Sequence, residues 1–196
     1  MKEIGLFNSK SGFTSILMSF LLLGIILVAG CSSTTFKSTP QNKNISTIKT
    51  VLKKQFTGPD LKLVGLYESD ENLTVVGKDE KVTQPKSPTK LEKYYEKMYR
   101  GYFTENMYSN FIRAYAFQYQ FLAHNKGYQL TVDHIDVEKI EKTEGAYDFK
   151  VKVLYEKEGT EQKNAVVSGR VYFNKDGKIT NIRYLDELEL IKALKN

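Results

Sequence analysis

The sequence predicts an α+β fold, with N-terminal helices packed on a curved antiparallel sheet of about four strands. Three observations predict it. Apolar residues recur at helical spacing as far as Gly127 and at every second position after it, which is a change from a 3.6-residue to a two-residue period. Glu144-Gly145, Glu158-Gly159 and Asp176-Gly177 divide the alternating half at intervals suited to hairpins. The chain of 196 residues has a single cysteine, so no internal disulfide assists folding and the core must suffice.

The first 30 residues differ from the rest. Lys2 and Lys10 form a positive amino-terminal region, and an apolar core runs from Ile16 to Val28. Small Ala29 and Gly30 then precede Cys31, the only cysteine. These are the three zones of an export signal, expected as a signal-peptide helix over 1–30. Val28-Ala29-Gly30-Cys31 resembles the lipobox of bacterial lipoproteins. The resemblance implies that the Cys31 thiol is alkylated by a diacylglyceryl group and that a lipoprotein signal peptidase cuts between Gly30 and Cys31. It places the mature protein on the extracytoplasmic face of the cell membrane, held by lipid. One acyl chain binds a bilayer marginally, at about 0.8 kcal/mol per buried methylene, and two anchor it stably. An uncleaved transmembrane anchor is the alternative, since the run is nearly long enough to span. Ser19 and Gly24 weaken it, and the cysteine stands where a cleavage site belongs.

Residues 31–44, rich in Ser, Thr, Lys and Asn, form the expected flexible tether behind the lipidated cysteine. Residues 45–196 form a single α+β domain: helices over 45–127, an antiparallel meander over 128–186 and a closing helix over 187–194. Ser46 is placed to cap a helix bearing Ile48, Val51, Leu52 and Phe56. Thr57-Gly58-Pro59-Asp60 breaks it, and Pro59 at a first helical position starts a short helix with Leu61, Val64 and Leu66. Periodicity is lost over 68–88, a loop or partly ordered excursion with one short strand at Leu73–Val76. Thr89 and Glu92 spell a capping box for a helix through about Arg100, with Leu91, Tyr94, Tyr95, Met98 and Tyr99 on its apolar face. Thr104 caps another helix, carrying Met107, Tyr108, Phe111, Ile112 and Tyr115. The run 116–124 continues that helix or breaks into a turn, and Asn125-Lys126-Gly127 stops it.

The strands follow. Leu130 and Val132, then Ile135, Val137 and Ile140, alternate with a change of register near Asp133-His134, which predicts a bulge. Tyr147, Phe149, Val151, Val153 and Tyr155 make a second run. Ala165, Val167, Gly169, Val171 and Phe173 make a third, and Ile179, Ile182 and Tyr184 a fourth.

This order of elements resembles the NTF2-like, cystatin-like cone fold. The resemblance is carried by Tyr102 to Tyr108, by the strand Tyr147 to Tyr155 and by the ending Gly177 to Tyr184, and covers about Thr89 to Asp186. It implies helices lying in the concavity of a bent sheet. The chain is also similar to small exported lipoproteins of Gram-positive type with this fold. That superfamily includes dehydratases, isomerases, ligand-binding domains and assembly modules, so the fold does not choose a function.

Composition narrows the choice. Cleavage of the leader removes Lys2, Lys10 and Glu3 and lowers the formal charge from +6 to +5. This mild excess suits an anionic membrane or wall polymer. Lysines and glutamates alternate, which gives no footprint for nucleic acid. Metal binding is not expected, because no spaced His/Cys set exists. The only cofactor-like group expected is the covalent diacylglycerol on Cys31. Tyr95, Tyr99, Tyr115 and His134 are the candidate lining of a pocket in the cone, although the helical spacing of the tyrosines favours plugs in a core. His134 stands beside Asp133 and Asp136 without a third partner, and His124 suits a helix end. No catalytic residue is assigned. The expectation is a lipid-anchored, non-catalytic module that binds an envelope protein or wall component, marked by an exposed apolar or aromatic patch outside the cone. The alternative is a small-molecule binding protein or enzyme that uses the cone pocket.

Overall fold

Pro40 opens the first helix among the described residues. The computed structural model describes residues 40–69 and 87–196, and between them the backbone of residues 75–76 and 82–83. Helix α1 spans Pro40–Phe56. It starts six residues ahead of Ser46, and the Ser46 carbonyl accepts from Thr50 Oγ1 at 2.8 Å inside the helix. Residues 40–44, which composition assigns to a tether, are therefore helical. Proline is tolerated at a first helical position because its missing N–H needs no partner. Packing supplies the rest: Ile45 lies against the core and Asn44 Nδ2 donates to the Tyr147 hydroxyl at 3.4 Å.

Asp60, and not Pro59, sets the start of α2 (Leu61–Tyr67): its carboxylate accepts from the Lys62 and Leu63 N–H groups at 3.0 and 3.1 Å. Strands β1 (Val75–Val76) and β2 (Val82–Thr83) pair antiparallel. Leu73 and Thr74, the first half of the expected strand there, lie outside the described residues. Helix α3 (Lys90–Tyr99) carries the full capping box, with Glu92 N–H donating to Thr89 Oγ1 at 3.2 Å and Thr89 N–H to Glu92 Oε2 at 2.6 Å. A 3-10 turn over Arg100–Tyr102 leads to α4 (Glu105–Ala114). Thr104 holds the N-cap position there without capping. Its N–H and hydroxyl instead donate to the Ile179 carbonyl, at 3.0 and 3.4 Å. The chain then breaks over 115–117 and resumes as α5 (Gln118–Lys126). Gly127 ends α5 in the left-handed region, φ 72°, with its N–H directed at the Ala123 and His124 carbonyls.

Four antiparallel strands follow in sequence order: β3 (Tyr128–Lys139), β4 (Ala146–Lys157), β5 (Lys163–Phe173) and β6 (Ile179–Asp186). Helix α6 (Leu188–Lys195) closes the chain. The register of β3 shifts between Val132 and His134, the bulge that alternation predicts. Two further shifts break the pairing of β5 with β6. The sheet is open, so β3 and β6 are its edges. Each is met once by the helical half: Gly58 exchanges two backbone hydrogen bonds with Leu130, at 3.0 and 2.6 Å, and Phe103 bridges Ile179.

One face of the sheet is buried. Phe149, Val151 and Val153 of β4, Val167 and Val171 of β5 and Ile182 of β6 point into it. They meet Ile48, Val51, Leu52 and Phe56 of α1, with Tyr99, Phe111 and Tyr119 from the later helices. Gly169 belongs to that face because a side chain there has no room. A Cβ would stand 2.3 Å from the Arg183 carbonyl oxygen and 2.4 Å from Phe149 Cζ. The other face carries Lys150, Lys152, Arg170 and Asp148 and stays open to solvent.

Candidate interaction surface

Val28, Ala29, Gly30 and Cys31 lie outside the described residues. The tyrosines do come together. Tyr95 and Tyr99 are buried on α3, and the Tyr99 ring packs against Phe111 with centroids 5.1 Å apart. Tyr115 lies 6.3 Å from Phe111 and 5.1 Å from Tyr184. These rings stack into one another as core, edge-to-face and tilted. His134 stands apart from them. The extra residue at Asp133 restores Ile135 and Val137 to the inner face, which turns His134 and Asp136 outward together. His134 Nε2 lies 2.9 Å from Asp136 Oδ1, and the His134 side chain is 64% exposed. His124, at the end of α5, is 3.9 Å from Glu68 Oε1.

Two buried glutamines join the helices. Gln120 Nε2 donates to the carbonyls of Lys54 and Thr57, at 3.0 and 2.8 Å, and Gln120 Oε1 accepts from the Asp60 N–H at 2.6 Å. Asp60 in turn accepts from the Tyr94 hydroxyl at 2.6 Å. Gln55 Nε2 donates to the Tyr115 carbonyl at 3.1 Å, and Gln55 Oε1 accepts from the Tyr184 hydroxyl. The Tyr119 hydroxyl donates to Glu187 beside α6. Sequence reasoning missed these glutamines. The signal available was Gln118 and Gln120 alternating with Phe117, Tyr119 and Phe121, a pattern that suits an edge as well as a helix. Every polar end of Gln120 is occupied by backbone, so this residue fastens the turn between α1 and α2.

Burial pushes several hydroxyls of this interior up. Tyr94 rises to about 12, from desolvation first and then from its bond to Asp60. Tyr95, Tyr99, Tyr119 and Tyr184 rise further, each chiefly from desolvation, with Glu187 adding to Tyr119. The folded state thus keeps protons that an unfolded tyrosine releases near its ordinary value of about 10. Stability is full below that pH and falls as pH climbs through 10 toward 12 and beyond. Tyr99 alone among the described side chains has a buried oxygen with no hydrogen-bond partner. Tyr99→Phe is therefore expected to be neutral or stabilising by about 1 kcal/mol at pH 7, and to lessen the alkaline loss. Urea unfolding at pH 7 and pH 11 checks both, and a clear destabilisation at pH 7 would show that the hydroxyl has a partner.

Outside the interior, an aromatic trio is left partly uncovered. Tyr67 at the end of α2 and Phe117 and Phe121 along α5 form a trio, with centroids 4.7, 5.6 and 5.4 Å apart. Tyr67 is 46% exposed, and both phenylalanines are half-buried. Glu68 and His124 rim the trio on the same two helices. Helix α5 is two-sided: Tyr119, Gln120 and Ala123 face the core, while Phe121, with Phe117 just ahead of the helix, packs against Tyr67. Such a surface offers flat ring area of low conformational entropy with a polar edge.

Two hollows mix polar and apolar lining. On the open face of the sheet, a shallow groove of about 310 Å³ lies among Asp136, Glu138, Asp148, Lys150, Ser168 and Leu185. Arg170 grips Asp148 with two bonds of 2.6 and 3.0 Å. Among the described residues, no group of three or more His, Cys, Asp or Glu side chains is arranged to hold a metal ion. A wider one, about 910 Å³, lies among the start of α1, the β3–β4 turn and the β5–β6 turn. No helix among the described residues is long and apolar enough to cross a membrane. No protein-family model matches the chain, and no curated protein or solved structure matches it significantly.

Proposed function

We propose that this chain is an extracytoplasmic protein held to the cell membrane by a diacylglycerol on Cys31, whose folded part binds an envelope protein through Tyr67, Phe117 and Phe121 without chemistry of its own. The uncovered aromatic trio is the observation that carries the reading. The ring-filled interior adds to it, since the tyrosines expected around a ligand are core. We read the helices over the bent sheet as an NTF2-like cone whose cavity is plugged by Tyr99, Phe111, Tyr119 and Tyr184. The lipobox residues Val28, Ala29, Gly30 and Cys31 support the anchor.

The test has two parts. Cys31→Ser is expected to abolish incorporation of labelled palmitate and to release the protein from the membrane fraction. For the surface, a photo-crosslinking residue at Tyr67 is expected to trap one protein in stoichiometric yield. Tyr67→Ser should then weaken that complex about 30-fold, as loss of a central aromatic anchor of about 2 kcal/mol does, with an unchanged circular dichroism spectrum. Native mass spectra showing a constant small-molecule adduct and no protein partner would overturn the binding-module reading in favour of a ligand-binding cone.

A further inference from the structure

Helix α1 is set apart by its charge. It carries Lys43, Lys49, Lys53 and Lys54 and not one acidic residue. Elsewhere the described charges are interleaved: Arg100 pairs with Glu96 and Glu105, Lys152 with Asp133, Lys139 with Glu141 and Arg170 with Asp148. At 100° per residue, Lys43, Ser46, Lys49, Thr50 and Lys53 fall within an arc about 120° wide. That arc lies opposite the one that buries Ile48, Val51, Leu52 and Gln55. Lys43, Lys49 and Lys53 are exposed and make no ion pair among the described residues. Lys54 is different, since it turns inward and donates to the Met98 carbonyl at 2.8 Å. Three free ammonium groups thus line one face over about 15 Å of helix.

Position gives this face its partner. Pro40 follows Cys31 by nine residues, a span of about 32 Å at full extension and less for any coiled path. A lipid on Cys31 keeps α1 close to the headgroups of its own bilayer, where each lysine is attracted to anionic lipid. We infer that the Lys43–Lys49–Lys53 face of α1 docks on the anionic phosphates of the membrane that holds the anchor, and so fixes the orientation of the folded part. This rests on the lipid-anchored reading. Three lysines together shift the docked-to-undocked ratio about a hundredfold, and the attraction is screened by salt. The open face of the sheet, which packs no helix, is left for other contacts.

The experiment uses the full lipidated chain. Ser46→Cys places one reactive thiol in the arc, because lipid occupies Cys31, and Thr160→Cys in the β4–β5 turn serves as the control. A fluorophore on each is exposed to an aqueous quencher, on phosphatidylcholine vesicles and on vesicles with added phosphatidylglycerol. Expected is several-fold protection at Ser46 on the anionic vesicles only, reversed by high salt, with the Thr160 position unprotected. Combined Lys43→Glu, Lys49→Glu and Lys53→Glu should abolish the protection, and these exposed changes should leave the melting temperature where it is. Equal quenching on both vesicles, protection at both labels or indifference to charge reversal would each overturn the inference. So would preferential binding of soluble polyglycerol phosphate without protection on vesicles, which would assign the face to a wall polymer. The anchor is read separately: flotation with neutral vesicles and a single label per chain depend on the lipid, not on the lysines.

Discussion

Gln120→Leu is expected to remove about 3 kcal/mol or more of stability, a large part of the 5–15 kcal/mol that holds a typical domain. Leucine matches the bulk of glutamine but offers neither donor nor acceptor. The Lys54 and Thr57 carbonyls and the Asp60 N–H, now satisfied at 3.0, 2.8 and 2.6 Å by a side chain that is itself buried, would lose those partners. Each such orphan costs about 1–3 kcal/mol. Because the three groups end α1 and begin α2, the loss should also free the Gly58–Asp60 turn, and with it the bond pair between Gly58 and the edge of β3. Gln120→Glu should fail as well, since a carboxylate would face two carbonyl oxygens. Denaturant unfolding of both variants decides it; a loss below about 1 kcal/mol would mean that water or local rearrangement serves these groups equally well.

Gly169→Ala is expected to destabilise by about 3 kcal/mol, the upper end of the usual range for forcing atoms into a packed core. For a domain of this size that lowers the melting temperature by about 10 °C. The added methyl would meet the Arg183 carbonyl oxygen at 2.3 Å and Phe149 Cζ at 2.4 Å. The ring has some freedom to turn, although Tyr184 stands against it with centroids 5.8 Å apart. The carbonyl has less, since it belongs to the strand paired with β5. Adding Phe149→Leu should therefore recover only part of the loss. Full recovery would show that the ring, and not strand β6, sets the limit.

Features written within a few residues were legible in the sequence. The change of period at Gly127, the capping box of Thr89 and Glu92 and the bulge at Asp133 all depend on neighbours in the chain, and the structure has each of them. The start of α1 was not legible, because polar residues 40–44 gain helical structure from contacts such as Asn44 with Tyr147, 103 residues away. The tyrosines show the same limit. Their helical spacing favoured a core plug over a ligand wall, and the partners are what it could not name: Tyr99 meets Phe111, and Tyr115 meets Phe111 and Tyr184. His134 depended on which way one inserted residue turned the strand. The aromatic trio joins Tyr67 to Phe117 across 50 residues of chain, and Gln120 serves backbone more than 60 residues before it. Pairings of that kind leave no local pattern to find.

The two edges of the sheet carry a consequence for how copies of this protein tolerate one another. An exposed strand edge is a template on which a second chain can add, and sheets that fuse in this way seed aggregates. Here β3 offers little continuous template: Gly58 occupies it at Leu130, the Asp133 bulge breaks its ladder, and Asp136, Glu138 and Lys139 charge the remainder. On β6, Phe103 and Thr104 occupy the first residue, Ile179, and the strand runs only eight residues before α6. An anchor that crowded molecules side by side in a plane would bring these interrupted edges together, and the interruptions shorten the stretch on which a second chain could add.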